Sequence, residues 1–305
     1  MAGIYIHYPF CKQACHYCNF HFSTQLKHQE VVLESMFSEL KMRSTFLSST
    51  IESIYIGGGS PSLLDSKWIE RWLESISKYF ELQSKVEITL EVNPDDATKS
   101  YLNSIRQVGV NRISLGIQTF DAVALKLMNR IHTVKQSKTA LEITANMFSN
   151  YSIDLIYGIP ENSFEQWNND IDNALFFRPV HISSYALTVE PKTVLAHKIG
   201  KGQIKMSDDD EVKIQYDHLV DRLCILGYDH YELSNFGKHN YYSINNSNYW
   251  TGKPYLGIGP GAHSFDGKNT RCWNVSNNQL YVSNIKNNVL PITEEKLKQK
   301  ERFNE

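Results

Sequence analysis

Apolar residues recur along this chain in two alternating rhythms. Runs with strand character occupy residues 4–7, 53–56, 86–92, 112–117, 152–157 and 181–187, each β-rich and bounded by turn residues. Between them the apolar positions fall three and four apart, as in Val32/Met36/Leu40 and in Trp68/Trp72 with Ile69/Leu73/Ile76, which is the stripe of an amphipathic helix. Helix ends carry their own chemistry. Asp65 or Ser66 opens one helix, Thr98 opens another that Gly109 closes, and Thr133-x-x-Gln136 and Ser163-x-x-Gln166 have the spacing of capping boxes. Six strand-to-helix steps predict an α/β fold with a parallel sheet under helices. Six are too few for a closed eight-unit barrel, so the expected architecture is a partial parallel (β/α)6 barrel over residues 1–190.

The rhythm changes after that point. Residues 192–210 are polar, a helix is expected over 211–226, and residues 227–273 are rich in aromatics and punctuated by Gly and Asn. Residues 191–305 therefore read as a smaller C-terminal α/β extension. Its last segment, residues 293–305, is charged with few apolar anchors and is expected to be helical.

Composition narrows the class of molecule. Hydrophobic residues make up 41% and charged residues 21%, enough to bury a large core. Lys and Arg number 31 against 33 Asp and Glu, a formal charge of −2, so no global basic field draws in nucleic acid. The start of the chain lacks the basic lead and apolar run of a signal peptide, and no stretch reaches the ~20 apolar residues of a membrane span. The cytoplasm is the expected compartment.

The cysteines carry the chemistry. Cys11, Cys15 and Cys18 crowd into eight residues of FCKQACHYCNF, whereas Cys224 and Cys272 stand apart with no evident partner. In a reducing compartment such a cluster points to metal rather than to disulfides. Thiolates are soft ligands for iron–sulfur clusters or zinc. Three of them can hold three corners of a [4Fe–4S] cube and leave the fourth iron open to a small molecule. The rival is a Cys₃His zinc site completed by His7, His16 or His21, although zinc knuckles usually come in pairs and no second knuckle is present.

Other unusual residues fall at the carboxyl ends of the expected strands, the edge where α/β folds build their sites. Gly57-Gly58-Gly59-Ser60-Pro61 follows the second strand, and its missing side chains would let backbone approach a ligand closely. Glu91 and Asn93 end the third strand, Gln118 the fourth, and Arg130 lies twelve residues further on. Arg is suited to bidentate capture of a carboxylate. Asp154 sits inside an apolar strand, where a carboxylate needs a partner or a role.

The Cys-x₃-Cys-x₂-Cys spacing, with aromatic Tyr17 before the last cysteine and directly after a first strand, resembles the radical S-adenosylmethionine (SAM) enzymes. The further segments IYIGGGSPSLL, EVNPDD, NRISLGIQTF, DLIYGIP, YELSNF and YLGIGPGAHSF are similar to one branch of them, the oxygen-independent coproporphyrinogen III oxidase family with its haem-chaperone relatives. The resemblance runs from about residue 3 to the end of the chain. It implies that the open iron chelates SAM and that the cluster cleaves it to a 5′-deoxyadenosyl radical. It also implies SAM contacts at Tyr5, Gly58, Gly59, Ser60, Glu91, Gln118, Arg130, Asp154 and Ala186, an electron-donor protein, and a haem or porphyrinogen ligand. A haem-acceptor protein is the expected partner in the chaperone case.

Two departures separate the branches. The oxidase carries a fourth cysteine where this chain has Phe20, so Phe20 resembles the haem chaperones. In those, a His-Asn-x-x-Tyr-Trp motif contributes to haem binding, and the matching stretch here begins with Asn245 and ends Tyr249-Trp250. Asparagine does not ligate haem iron as imidazole does. His239 and His263 are the neighbouring alternatives, and packing by Tyr241, Tyr242, Tyr249 and Trp250 is the other reading of this stretch. The resemblance further implies a C-terminal domain beyond Glu305.

Overall fold

A computed structural model describes residues 1–298 together with 300 and 301. Its centre is six strands, β1 Ala2–Tyr8, β2 Ile51–Gly58, β3 Leu82–Val92, β4 Arg112–Gln118, β5 Tyr151–Tyr157 and β6 His181–Ala186. They lie side by side in chain order, and every neighbouring pair is parallel. Helices connect them: α1 Gln29–Met42, α2 Ser66–Tyr79, α3 Lys99–Gln107, α4 Ala122–Leu127, α5 Val134–Met147 and α6 Phe164–Phe176. The expected run of parallel βα units is therefore present.

Side chains alternate across each strand, and this alternation decides which face packs. Ile4, Ile6, Ile54, Ile56, Leu90, Ile113, Leu115, Ile153, Leu155 and Ile182 are buried in one core with Leu33, Met36 and Leu40 of α1, Trp72 of α2, Ile105 of α3, Leu141 of α5 and Trp167 of α6. The intervening positions, among them Tyr5, His7, Tyr55, Glu87, Thr89, Glu91, Arg112, Ser114, Asp154 and Ser183, are polar and face the opposite side. The strip curls around that polar face. At its carboxyl edge the Leu195 N–H donates to the His16 carbonyl at 2.8 Å, joining the segment after β6 to the loop after β1. At its amino edge Tyr231 hydrogen-bonds His181 at 2.8 Å and accepts from the Ser243 N–H at 3.2 Å, while the Ile244 N–H donates to Glu87 at 3.0 Å.

The remaining elements are α7 Val194–Gly200, α8 Asp209–Ile225, β7 Asp229–Glu232, β8 Asn235–Gly237, α9 Ile244–Trp250, β9 Tyr255–Ile258, β10 His263–Phe265, β11 Thr270–Asn274, α10 Asn278–Lys286 and β12 Ile292–Lys296. They lengthen the same sheet at both edges. The strand order is β12-β11-β10-β9-β1-β2-β3-β4-β5-β6-β8-β7, with β9 parallel to β1 and the outer strands antiparallel. Glu39, fully buried on α1, fastens this addition. It accepts from the Gly259 N–H at 2.9 Å, Asn274 Nδ2 at 2.8 Å and Tyr281 Oη at 2.5 Å, and it pairs with Arg43 at 3.3 Å. Cys272 has a place here too, accepting from Arg43 Nη2 at 3.3 Å.

Helix ends largely follow the expected chemistry. Asp65 caps α2 and Thr98 caps α3, whose exit uses Gly109 at φ +115° with the paired 5→2 and 6→1 hydrogen bonds of a Schellman turn. Thr133 and Gln136 form a complete capping box. Ser163 accepts from the Gln166 N–H, but the Gln166 side chain turns instead to Asp170 within the same helix. The expected C-terminal helix is corrected over its first residues, which form β12 because pairing with β11 supplies their hydrogen bonds. Residues 299 and 302–305 of that segment lie outside the described residues. Among the described residues no helix is long and apolar enough to cross a membrane.

Candidate cofactor site

The cysteine loop leaves β1 and is closed at its base. Cys11 donates its N–H to the Ser23 carbonyl at 3.0 Å, and Ser23 donates back to Pro9 at 2.9 Å. The far side is tied to the end of α4: Gln13 Nε2 donates to the Asn129 carbonyl at 2.9 Å, Asn129 Nδ2 to the Ala14 carbonyl at 2.8 Å, and the His16 N–H to the Met128 carbonyl at 3.0 Å. Lys12 pairs with Asp95 at 2.9 Å and with Asp96. A segment with no helix or strand between Cys11 and Cys18 is thus held by long-range bonds.

Cys11, Cys15 and Cys18 all line one cavity of about 630 Å³ at the carboxyl ends of the six central strands. Burial raises the Cys11 thiol to about 11, partly opposed by a hydrogen bond from Ser60, and burial also raises Cys18. Buried thiols of this kind ionise when a metal takes the place of the proton. The zinc alternative fits less well. Among the described residues no three His, Cys, Asp or Glu side chains converge on a point for one ion, as a zinc with ligands about 2.0–2.3 Å away requires. The three histidines named for it are engaged elsewhere: His7 Nε2 with the His21 carbonyl at 2.8 Å, His16 Nδ1 with the Leu127 carbonyl at 2.8 Å and His21 Nε2 with Asn278 at 2.7 Å. Thiolates spread around a wide cavity suit a cluster that takes one sulfur per iron.

Gly58, Gly59 and Ser60 line the same cavity. The glycines are required by the chain that passes behind them. A Cβ at Gly59 would stand 2.5 Å from the Phe10 carbonyl oxygen, and one at Gly58, where φ is +106°, would stand 2.7 Å from His7 Nδ1. Their N–H groups serve the fold: Gly58 donates to Glu91 at 3.1 Å, Gly59 to the Tyr8 carbonyl at 2.8 Å and Ser60 to the Phe10 carbonyl at 2.7 Å. The glycine turn therefore clamps the residue that precedes Cys11.

Two carboxylates stand in the cavity wall. Glu91 accepts from Tyr55 Oη at 2.9 Å and from Gly58, yet burial and then the nearby Asp154 raise it to about 7. Asp154 accepts from Ser114 Oγ at 2.9 Å and is also raised by burial. Arg112 is 2% exposed and meets Glu87 only at 3.8 Å, with its Nε lacking a hydrogen-bond partner. Burial disfavours the charge on both carboxylates, so a ligand that brings positive charge beside them would offset that cost, and their oxygens can accept from hydroxyls.

Arg130 donates from Nη1 to Cys15 Sγ at 3.6 Å and from Nη2 to Asn93 Oδ1 at 2.8 Å and the Gly116 carbonyl at 3.0 Å; its buried Nε has no partner. Gln118 takes a left-handed backbone, φ +69°, in a turn that Asp170 secures through Thr119 Oγ1 at 2.5 Å and the Phe120 N–H at 2.8 Å. Gln118 and Ala186 line the cavity. Tyr5 stands behind it, hydrogen-bonded to His7 Nδ1 at 3.1 Å and with its ring tilted against that of Tyr55, and is not among the lining residues. Tyr55, Arg112, Ser114 and Ser183 line the cavity without having been singled out in the sequence. Their signal was present in the polar half of the strand alternation.

The expected haem stretch forms α9, which closes the amino edge of the curled sheet. Asn245 is buried there, its N–H directed at Glu87 at 3.4 Å, while Asn246 reaches the cavity floor. His239 and His263 are exposed and do not line the cavity, and His263 stacks on Trp273. Phe20 lies at the cavity rim, 66% exposed.

Residues 5–174 match the family model of the Radical SAM superfamily. The chain is 35% identical over 264 residues to the heme chaperone HemW of Lactococcus lactis, covering 86% of this chain and 69% of that protein. It is 33% identical over 291 residues to the heme chaperone HemW of Bacillus subtilis, covering 93% and 76%. The coproporphyrinogen III oxidase HemN from Escherichia coli, described as a radical SAM enzyme, has a similar structure: TM-score 0.85 at 21% identity, over 99% of this chain and 73% of that one. That last likeness concerns the fold.

Proposed function

Because the chain belongs to the radical SAM superfamily and, within it, to the heme chaperone HemW family, we propose that it binds haem for delivery to acceptor proteins, with Cys11, Cys15 and Cys18 holding a [4Fe–4S] cluster beside a SAM site. The observation that carries the reading is convergence. Three cysteines from one loop meet the strand-end residues Ser60, Glu91, Gln118 and Ala186 and the mid-strand Asp154 around a single cavity, and Arg130 joins them from beyond α4. When bound, a cluster held by three thiolates supplies an open iron and single electrons.

The protein's own residues have the complementary roles. Glu91 and Asp154 offer acceptors to ribose hydroxyls and negative charge to a ligand that carries a sulfonium and an ammonium. Arg130, through its unpartnered Nε, and Gln118 suit the carboxylate end. The glycine turn fixes the cysteine loop and hence the face the cluster presents. Tyr5 orders this wall from behind through His7. Haem is proposed as the further ligand, the cytoplasm as the compartment that keeps the thiols reduced, and an electron-donor protein as a second partner.

Haem titration of the anaerobically reconstituted protein, followed by absorbance and paired with assays for 5′-deoxyadenosine and decarboxylated tetrapyrrole, tests this reading. Saturable haem uptake without decarboxylation is expected. Decarboxylation of coproporphyrinogen III would replace the carrier by an oxidase, and absence of any haem uptake would contradict it.

A further inference from the structure

The guanidinium of Arg130 reaches sulfur by two routes. The first is direct, Nη1 to Cys15 Sγ at 3.6 Å. The second passes through two other side chains. Arg130 Nη2 donates to Asn93 Oδ1 at 2.8 Å, Asn93 Nδ2 donates to Ser60 Oγ at 3.0 Å, and Ser60, its N–H bound to the carbonyl of Phe10, stands next to Cys11 in the cavity wall.

The direction of this chain is fixed by its ends. A guanidinium has no acceptor, so Asn93 must turn its oxygen toward Arg130 and its amide hydrogens toward Ser60. Ser60, having accepted, has its one proton free for sulfur. Backbone contacts hold all three in place: Arg130 also donates to the Gly116 carbonyl at 3.0 Å, the Asn93 N–H donates to Ser62 Oγ at 3.3 Å, and the Ser60 N–H donates to the Phe10 carbonyl at 2.7 Å. Cys18 lines the same cavity but stands outside this chain of side-chain hydrogen bonds.

We propose that Arg130, Asn93 and Ser60 form a donor relay that sets the reduction potential of the cluster held by Cys11, Cys15 and Cys18, with Asn93 as the positioning residue that couples Cys11 to the Arg130 charge. Donors directed at ligating sulfur stabilise the more electron-rich, reduced cluster and raise its potential. Away from bulk water, hydrogen bonds in a chain polarise one another, so the cation acts on a thiolate it does not touch. The relay rests on the cluster reading above, and the test separates the two.

Asn93→Leu cuts both links, Asn93→Asp keeps the acceptor for Arg130 but has no donor for Ser60, and Ser60→Ala cuts the last link. Each is reconstituted anaerobically without SAM and compared with wild type by iron and sulfide content and by redox titration followed with electron paramagnetic resonance. The relay predicts about four irons per chain in each, a more negative midpoint potential in all three variants, and a Ser60→Ala/Asn93→Leu double variant shifted no further than Ser60→Ala alone. Unchanged potentials at full cluster content, or shifts that add, would overturn the relay and leave the cluster standing. Ser60→Ala decides the matter if the Asn93 variants fail to take up cluster. A wild-type chain without a cluster would remove the reading beneath it, and the relay with it.

Discussion

Glu91 shows how a single side chain can oppose its own fold. It has good donors in Tyr55 and Gly58, but burial and the Asp154 charge still raise it to about 7, against about 4.3 in an unfolded chain. Between those values the folded protein keeps a proton that the unfolded chain has lost. Its contribution to stability is therefore present at low pH, declines as pH rises through that window, and is gone above about pH 7. Asp154 is shifted in the same direction. Replacing Glu91 by Gln should flatten the pH dependence of the thermal midpoint of the ligand-free protein between about pH 4.5 and 7; midpoint curves that stay parallel to wild type would show that Glu91 is not the group responsible. At this scale the sequence was legible where a residue type was out of place, as with three clustered cysteines or an Asp in an apolar strand. The partners were not legible: Tyr55 reaches Glu91 from the neighbouring strand, and Asn93 links Ser60 to Arg130 across three segments.

Elements were most legible where local chemistry closes on itself. The capping box at Thr133 and the Schellman turn at Gly109 need only residues within one turn of the helix. Thr133→Ala should cost about 0.5–2 kcal/mol, read as a lower urea midpoint with an unchanged slope; an unaffected midpoint would mean that tertiary packing alone holds the start of α5. The same spacing at Ser163 gave only half a box, because Asp170 competes for the Gln166 side chain. The failure at residues 293–296 has a related cause. Their charges suit a helix, but pairing with β11 outweighs propensity at a sheet edge, where Glu294, Glu295 and Lys296 leave the edge strand exposed and charged.

For the whole molecule, period-two alternation carried most of the information. Apolar positions face the helices, polar positions face inward, and strand-end residues meet at one mouth. What the sequence did not disclose is that the residues after 190 return to both edges of the first sheet, through β8 beside β6 and β9 beside β1, with Glu39 joining α1 to α10. The β9–β1 pairing and the Glu39 link join segments more than 200 residues apart, and β8 meets β6 across more than 50, beyond any local pattern. The curled sheet matters for function because it turns one cysteine loop and six strand ends into a shared enclosure. Mössbauer spectroscopy of anaerobically prepared protein carrying enriched iron, recorded with and without SAM, tests that claim most directly. The account predicts a cubane spectrum in which SAM alters one iron site and leaves the others in place; a spectrum without a cubane, or a cubane that SAM leaves unchanged, would contradict it.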